Sequence, residues 1–475
     1  MKNKFLILLI LGLMFSFSAC EDELELFPQD AIATELGYQT VTDFENAAKG
    51  LYSGFRRSGY YGATSGAASI YFIPDVISDD VIINSNGRRS RETFYDWRFD
   101  EDNSSQAFWL SAYKVIQRAN LILENIDNLE DSPQKENYRG EALAARGIAH
   151  FDLAKFYAPS PAQGSDSDLG IPYVTSTASD LLPSRGSLGD TYSKILDDLN
   201  NAQRAINEVN PRGRLNKNVI AAALSRIYLF SGDFENTLNA ANMVNDVSEV
   251  SREEFSDVWK DATETSVIWR IVVTQPDDVN IGVAWLQESP DGIRSEYNVD
   301  YALYQLYQDN DIRKSVYFET SDFAGIPYNH IVKYRGRLTG NANEVDPKPY
   351  RYSEVLLNKA EAYANTNQDD EALEALDELR SNRYEDFESP EESGQSLKDA
   401  IALERRLELA FEGIRFFDLK RKGLPIERSD FGDLADGTGE EAEFKLLPAG
   451  NFRFNMAIGE GERNANENMQ QNPGY

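Results

Sequence analysis

The sequence predicts a mainly α-helical fold, built on paired helices and carrying a large irregular face of loops and short strands. Three observations predict it. Apolar residues recur at helical spacing in one segment after another. Two distant helix-turn-helix stretches share a pattern of small residues alternating with aromatics. The segments between the helices are long and rich in Gly, Ser, Asn, Asp, Pro and aromatics, with little strand signal.

The helical segments run in order. Asp43 to Phe55 comes first, then Ala107 to Ile126, where Phe108, Tyr113, Ile116, Leu121 and Leu123 fall near one face. Tyr138 to Tyr157 is alanine-rich, and Leu188 to Ile206, Val219 to Phe230 and Phe234 to Val244 continue the series. Tyr352 to Ala364, Glu371 to Leu379 and Leu397 to Leu419 close it. "SRIYLFSGDFENTLNAANMV" from Ser225 and "KAEAYANTNQDDEALEALDEL" from Lys359 align so that Tyr228 meets Tyr363, Leu238 meets Leu373 and Ala240 meets Ala375. Small residues let paired helices approach closely, and the pattern resembles the tetratricopeptide repeat. Among the intervening segments, "SVIWRIVV" (Ser266 to Val273) and "YNHIVKY" around His330 read as strands.

The chain has 475 residues, 47 Lys+Arg against 79 Asp+Glu, and a net charge of −32. A protein of this sign repels phosphate, which disfavours a nucleic-acid partner and a charge-driven hold on anionic lipid. Lys2 and Lys4 precede an apolar run from Phe5 to Phe17, too short for a comfortable membrane span, and small residues then lead to Cys20. "FSAC" (Phe17 to Cys20) resembles the bacterial lipobox, with Phe17 where leucine is usual. The segments therefore read as a signal peptide (1–19), a lipidated tether and lead-in (20–42) and a single globular domain (43–475). Cys20, the only cysteine, takes the lipid, so no internal disulfide forms.

An enzyme is hard to build from this inventory. Of the two histidines, His150 sits in an alanine-rich helix and reads as structural, and His330 lies in a strand. No Gly-rich phosphate loop or His-rich metal motif is present. "SDSD" (165–168) and "DND" (309–311) are acidic enough to touch a hard cation, but lack the loop spacing of a calcium hand and read as solvated turns. No cofactor is predicted. Paired carboxylates for glycoside hydrolysis have many candidates and no pair that stands out.

Aromatics with polar neighbours in loops do stand out. Sugar rings pack an apolar C–H face on an aromatic plane and need amides and charged groups around it. "NSNGRRSRETFYDW" (Asn84 to Trp97) and "VAWLQESPDGIRSEYN" (Val283 to Asn298) supply both kinds. The candidate ligand residues are Asn86, Arg88, Arg89, Trp97, Trp285 and Tyr297. The competing reading of Trp97 and Trp285 is core beneath long loops. Arg88, Arg89 and Arg91 form one basic cluster and Lys333, Arg335 and Arg337 another. Either they pair with nearby acids or they form a positive site for an acidic, uronate-bearing glycan.

In the C-terminal half, "RYSEVLLNKAEAYA" (351–364), "ERRLELAFEGIRFFDLKR" (404–421) and "QNPGY" (471–475) resemble the SusD/RagB family. "FWLSAYKVIQRANLILENI" (108–126), "EALAARGIAHFDLAKFYA" (141–158), "GIPYV" (170–174) and "LYQLYQDNDIRKSVYF" (303–318) resemble its other signatures, in the right order. The resemblance implies a SusD-like scaffold of tetratricopeptide-like helix pairs with a loop-built ligand face. It implies a surface lipoprotein of the outer membrane that binds an oligosaccharide without catalysis and serves a SusC-like TonB-dependent transporter. A peptide-binding member of the family is the alternative, and a glycoside hydrolase is the weakest reading. In "ERRLELAFEGIRFFDLKR", Leu407, Ala410, Phe411 and Ile414 fall at helical spacing, and the charges are placed to pair along the turns, a scaffold signature.

Overall fold

The computed structural model describes residues 37–62, 69–103, 106–207, 210–277 and 279–475. Cys20, the signal segment and most of the 20–42 lead-in lie outside the described residues. The main helices are α1 (Val41–Phe55), α2 (Gln106–Asn125), α3 (Pro133–Tyr157), α4 (Leu188–Ala205), α5 (Lys217–Phe230), α6 (Phe234–Ala241), α7 (Tyr352–Asn365), α8 (Asp369–Arg380), α9 (Gly394–Glu408) and α10 (Arg415–Lys422).

Local chemistry sets their starts. Thr40 and Asp43 form a reciprocal capping box that opens α1 inside the expected lead-in. Helix α3 starts at Pro133 rather than Tyr138, because the Ser132 hydroxyl accepts from the Lys135 N–H and proline suits the first turn. Helices α2 and α4 pack on α3, whose C-terminal carbonyls at Lys155 and Ala158 accept from the buried Lys420 ammonium at 2.7 Å each. The two look-alike helix pairs, α5–α6 and α7–α8, are neighbours in space through α6 and α7. Asn358 of α7 donates to Ser225 of α5 (2.9 Å) and Arg226 of α5 to Glu354 of α7 (2.7 Å).

The segment expected as one helix from Leu397 to Leu419 is two, α9 and α10, broken between Glu408 and Arg415. Phe411 and Gly413 adopt φ of +66° and +72°, which no helix contains. The break releases backbone groups that find partners elsewhere. Lys333 donates to the Ala410 carbonyl (2.7 Å), Tyr334 to that of Phe411 (2.9 Å), and the Gly413 N–H to Asp75 (2.8 Å). The charges of this stretch also depart from expectation. Apart from Arg421–Asp418 (2.8 Å) and Arg405–Asp418 (2.7 Å), which joins the two helices, they pair mainly across the molecule rather than along the turns. Glu408 meets Arg351 and Arg383 at 2.8 Å, Glu412 meets Arg351 (2.6 Å) and Lys333 (2.8 Å), and Glu404 meets Arg313 (2.6 Å). Asp311 of the acidic turn 309–311 is buried against Arg313 (2.9 Å), so that turn is not simply solvated.

The strands are β1 (Val81–Ile83), β2 (Val267–Trp269), β3 (Gln287–Ser289), β4 (Gly292–Arg294), β5 (Tyr297–Val299), β6 (Phe318–Phe323), β7 (Ile326–Ile331), β8 (Tyr350–Arg351), β9 (Ile426–Glu427) and β10 (Leu446–Leu447). Six of them form one antiparallel sheet in the order β1-β5-β7-β6-β4-β3. The face expected to be irregular is thus organised by a sheet, which the short strand runs did not reveal. β2 pairs with β8, and β9 with β10 closes the loop 428–445 over the sheet.

Candidate saccharide-binding face

The two segments singled out from sequence, 84–97 and 283–298, meet in the sheet. β1 pairs with β5, with Ile83 opposite Tyr297. Beyond the strands the Asn84 N–H donates to the Glu296 carbonyl (3.0 Å), the Ser90 N–H to the Glu296 carboxylate (3.1 Å), and the Tyr297 hydroxyl to the Ser90 carbonyl (2.6 Å). Gly87 permits this approach, since a Cβ there would lie 3.0 Å from both the Asn84 and Ser295 carbonyl oxygens. A third segment joins them. Buried Asp433 accepts from the Ser85 N–H (2.9 Å) and the Glu440 N–H (2.8 Å), and its carbonyl from Asn298 (3.1 Å).

The polar candidates stay at the surface. Asn86 is exposed and donates to the Tyr328 hydroxyl (2.6 Å). Arg88 lies 3.5 Å from Glu296 and Arg89 pairs with Glu92 (2.8 Å) and Glu440 (3.3 Å). Lys333, Arg335 and Arg337 are likewise ion-paired: Lys333 with Glu412, Arg335 with Glu288 and Glu319, Arg337 with Asp261 and Glu344. Arg91 and Arg294 differ. The Nε of each is buried without a hydrogen-bond partner, and neither guanidinium joins an ion pair among the described residues. Burial lowers the Arg91 pKa, against the pull of Tyr297 and Glu296.

The aromatic candidates are corrected. Trp97 is buried, donates through Nε1 to the Ile77 carbonyl (2.9 Å) and lies under the Arg428 guanidinium (4.2 Å). Trp285 is 1% exposed, edge-on to Phe72 (4.9 Å) and Phe411 (5.6 Å). Tyr297 is fully buried against Phe72 and Tyr95. None of the three offers a face to a sugar ring. Large apolar rings under loops gain more from burial than from exposure, so core packing takes them.

The rings that reach the surface are others. Tyr301 and Tyr304 sit on a short helix directly after β5, half-buried, with centroids 6.2 Å apart and planes at 21°. Phe431, 38% exposed, meets Tyr301 edge-on at 5.0 Å from the loop that also carries Asp433. The signal available in the sequence was the three-residue spacing of the tyrosines in "DYALYQL". Phe431 lies in a Gly- and Asp-rich loop and carried none.

Both histidines are structural. His330 shares a hydrogen bond with Ser295 (2.8 Å), but that serine is 1% exposed and the other ring nitrogen meets the Ser321 carbonyl (3.1 Å). Buried His150 stacks on Tyr173 at 3.8 Å and bridges the Arg146 carbonyl and the Val174 N–H.

Two family models match the chain: one described as "Starch-binding associating with outer membrane" over residues 63–229, the other as the SusD family over residues 278–475. The chain belongs to the SusD/RagB family. SusD-like protein P2 of Formosa agariphila is 25% identical and the match covers 98% of each chain, and SusD-like protein P38 of the same organism is 22% identical over 89% of this chain and 91% of its own. A crystal structure of a putative sugar-binding protein from Bacteroides vulgatus superposes with a TM-score of 0.81 at 26% identity, covering 92% of this chain and 99% of the other. A SusD superfamily protein from Bacteroides thetaiotaomicron has the same fold, with a TM-score of 0.80 at 24% identity and coverage of 91% and 100%. Both solved structures share the fold over 91–92% of this SusD/RagB chain.

Proposed function

We propose that this SusD/RagB protein binds an oligosaccharide, without turning it over, on the face where segments 84–91, 294–304 and 429–441 converge. One observation carries the reading. The loop 429–441 joins the two ends of the β1–β5 pair: Phe431 meets Tyr301 (5.0 Å), beside Tyr304, at one end, and Asp433 holds the Ser85 N–H (2.9 Å), next to surface Asn86 and Arg88, at the other. That is the pairing of flat apolar and polar groups a sugar needs. A structural relative described as a putative sugar-binding protein supports it. The protein would be held at the outer membrane by lipid on Cys20 and would hand its ligand to a SusC-like TonB-dependent transporter.

Titration against a panel of oligosaccharides and unstructured peptides tests the reading. Tyr301→Ala with Phe431→Ala should weaken saccharide binding roughly tenfold, about 1.4 kcal/mol, with unfolding unchanged. Binding of peptides alone would instead establish the RagB-like alternative.

A second reading concerns charge. Arg88 and Arg89 have acidic neighbours within ion-pair distance, but among the described residues Arg91 and Arg294 join no ion pair. If the ligand bears uronates, these two guanidiniums are the groups to receive them. Affinity for an oligouronate should then fall several-fold between 50 and 300 mM salt, and Arg91→Ala should flatten that dependence. Salt-independent binding points to a neutral ligand held by stacking.

A further inference from the structure

We propose a second saccharide site, a cleft of about 500 Å³ on a different part of the molecule, built by the loop after α3, the end of α10 and the segment 449–455. None of its lining residues belongs to the face described above. The choice of a sugar as ligand rests on the reading that the chain binds saccharides; the site itself rests on the cleft.

Its walls are held from outside. Phe454 stacks on Phe416 (5.5 Å, 10°), the Ser160 hydroxyl donates to the Phe230 carbonyl (2.8 Å), and Lys420 is tied to two helix-end carbonyls. The Met456 N–H donates to the Phe156 carbonyl (2.8 Å), anchoring the far end of the segment. The cleft is therefore preorganised, and its volume lies within the range of small-molecule sites, about 300–1,000 Å³.

The groups left over inside it are mostly acceptors. Asn455 lines the cleft, and among the described residues its buried Oδ1 has no hydrogen-bond partner. Gln163 donates through Nε2 to the Arg421 carbonyl (3.0 Å), which leaves its Oε1 for a ligand. Among the described residues the Asp168 carboxylate accepts one backbone N–H, from Ser165 (2.8 Å). Asn451 accepts from the Arg453 N–H (3.0 Å), which leaves its Nδ2 as a donor. Phe452, half-buried, edge-on to Tyr475 (4.8 Å, 86°) and with the Arg453 guanidinium over its ring (4.5 Å), adds an aromatic group to the wall. Several acceptors, one amide donor and an aromatic group fit a ligand rich in hydroxyl donors with an apolar ring face. A neutral pyranose has that chemistry, and Asp168 disfavours an anionic one.

The test is calorimetry with neutral tetrasaccharides (malto-, cello-, manno- and xylo-tetraose) on the full chain and three variants. These are Tyr301→Ala/Phe431→Ala on the sheet face, Phe452→Ala/Asn455→Ala in the cleft, and Gln163→Trp, which fills the cleft from an exposed rim position. The wild type should bind one of the sugars at two sites. The sheet-face variant should keep one of them, and each cleft variant should weaken that one at least tenfold. A single site abolished by the sheet-face variant would overturn the cleft and leave the main reading standing. Binding that survives only in the cleft would do the reverse. No binding by any tetrasaccharide would overturn the neutral-sugar cleft and leave the sheet face to the oligouronate titration. Should Phe452→Ala/Asn455→Ala unfold, Gln163→Trp alone decides.

Discussion

At the scale of single residues, environment rather than type decides what a side chain does. His150 shows this most directly. Burial holds its pKa down at about 3, from an ordinary 6.5. The folded chain keeps the ring neutral where the unfolded chain takes up a proton. Its contribution is therefore whole above pH 6.5 and is lost as pH falls from 6.5 towards 3. His330 is shifted the same way by burial. Urea midpoints between pH 7 and 5 should fall, and His150→Gln should be less stable at pH 7 but flatter by about 1.4 kcal/mol per pH unit. Equal slopes would remove His150 from the account. The aromatic candidates teach the same lesson. Trp97, Trp285, Tyr301 and Phe431 all sit in or beside loops of similar composition. Their apolar area alone favours burial of each, and only the surrounding backbone leaves the last two at the surface.

At the scale of elements, periodicity located the helices well, because each needs one buried stripe and each stripe is written locally. Starts shifted where a cap preceded the first apolar residue, as at Ser132. The miss between Leu397 and Leu419 has a different cause. The apolar spacing continues through Phe411 and Ile414, but the backbone turns left-handed there to serve Asp75, Lys333 and Tyr334. A periodic pattern records which side is buried and not which carbonyls must reach a distant donor. At Gly413 an added Cβ would lie 2.5 Å from the Ile70 carbonyl oxygen, whereas at Gly325, also left-handed (φ +82°), it meets nothing within 4 Å. Gly413→Ala should therefore cost about 2–3 kcal/mol in chemical denaturation and Gly325→Ala about 1. Similar losses at the two positions would show that backbone strain alone matters.

At the scale of the whole molecule, the buried ion network joins parts far apart in the chain. Glu408 receives Arg351 from β8, Arg383 from the turn after α8 and Arg313 from the segment before β6. Burial pushes its carboxyl up, but the Arg383 and Arg351 guanidiniums outweigh that and hold it well below the usual range. Glu408→Gln removes the carboxylate that three buried arginines share, while Arg313 keeps Asp311 and Glu404, Arg351 keeps Glu412 and Arg383 keeps Glu249, and it should destabilise the fold by about 3 kcal/mol, read by equilibrium unfolding. A loss below 1 kcal/mol would mean the network relaxes into water.

The sequence by itself determined the helical class, the positions of most main helices, the likeness of the two repeat-like units and the family. All of these rest on local periodicity and short motifs. It also pointed to segments 84–97 and 283–298, whose polar and aromatic mixture has no use inside a helix. Only the tertiary structure decided that these segments meet across β1 and β5, that Asp433 binds a third loop to them, and that Tyr301, Tyr304 and Phe431 rather than Trp97 and Trp285 face outward. The physical reason is range. Helical stripes are encoded within a few turns, whereas sheet pairing, ion partners and exposure depend on residues hundreds of positions away, which no local pattern records.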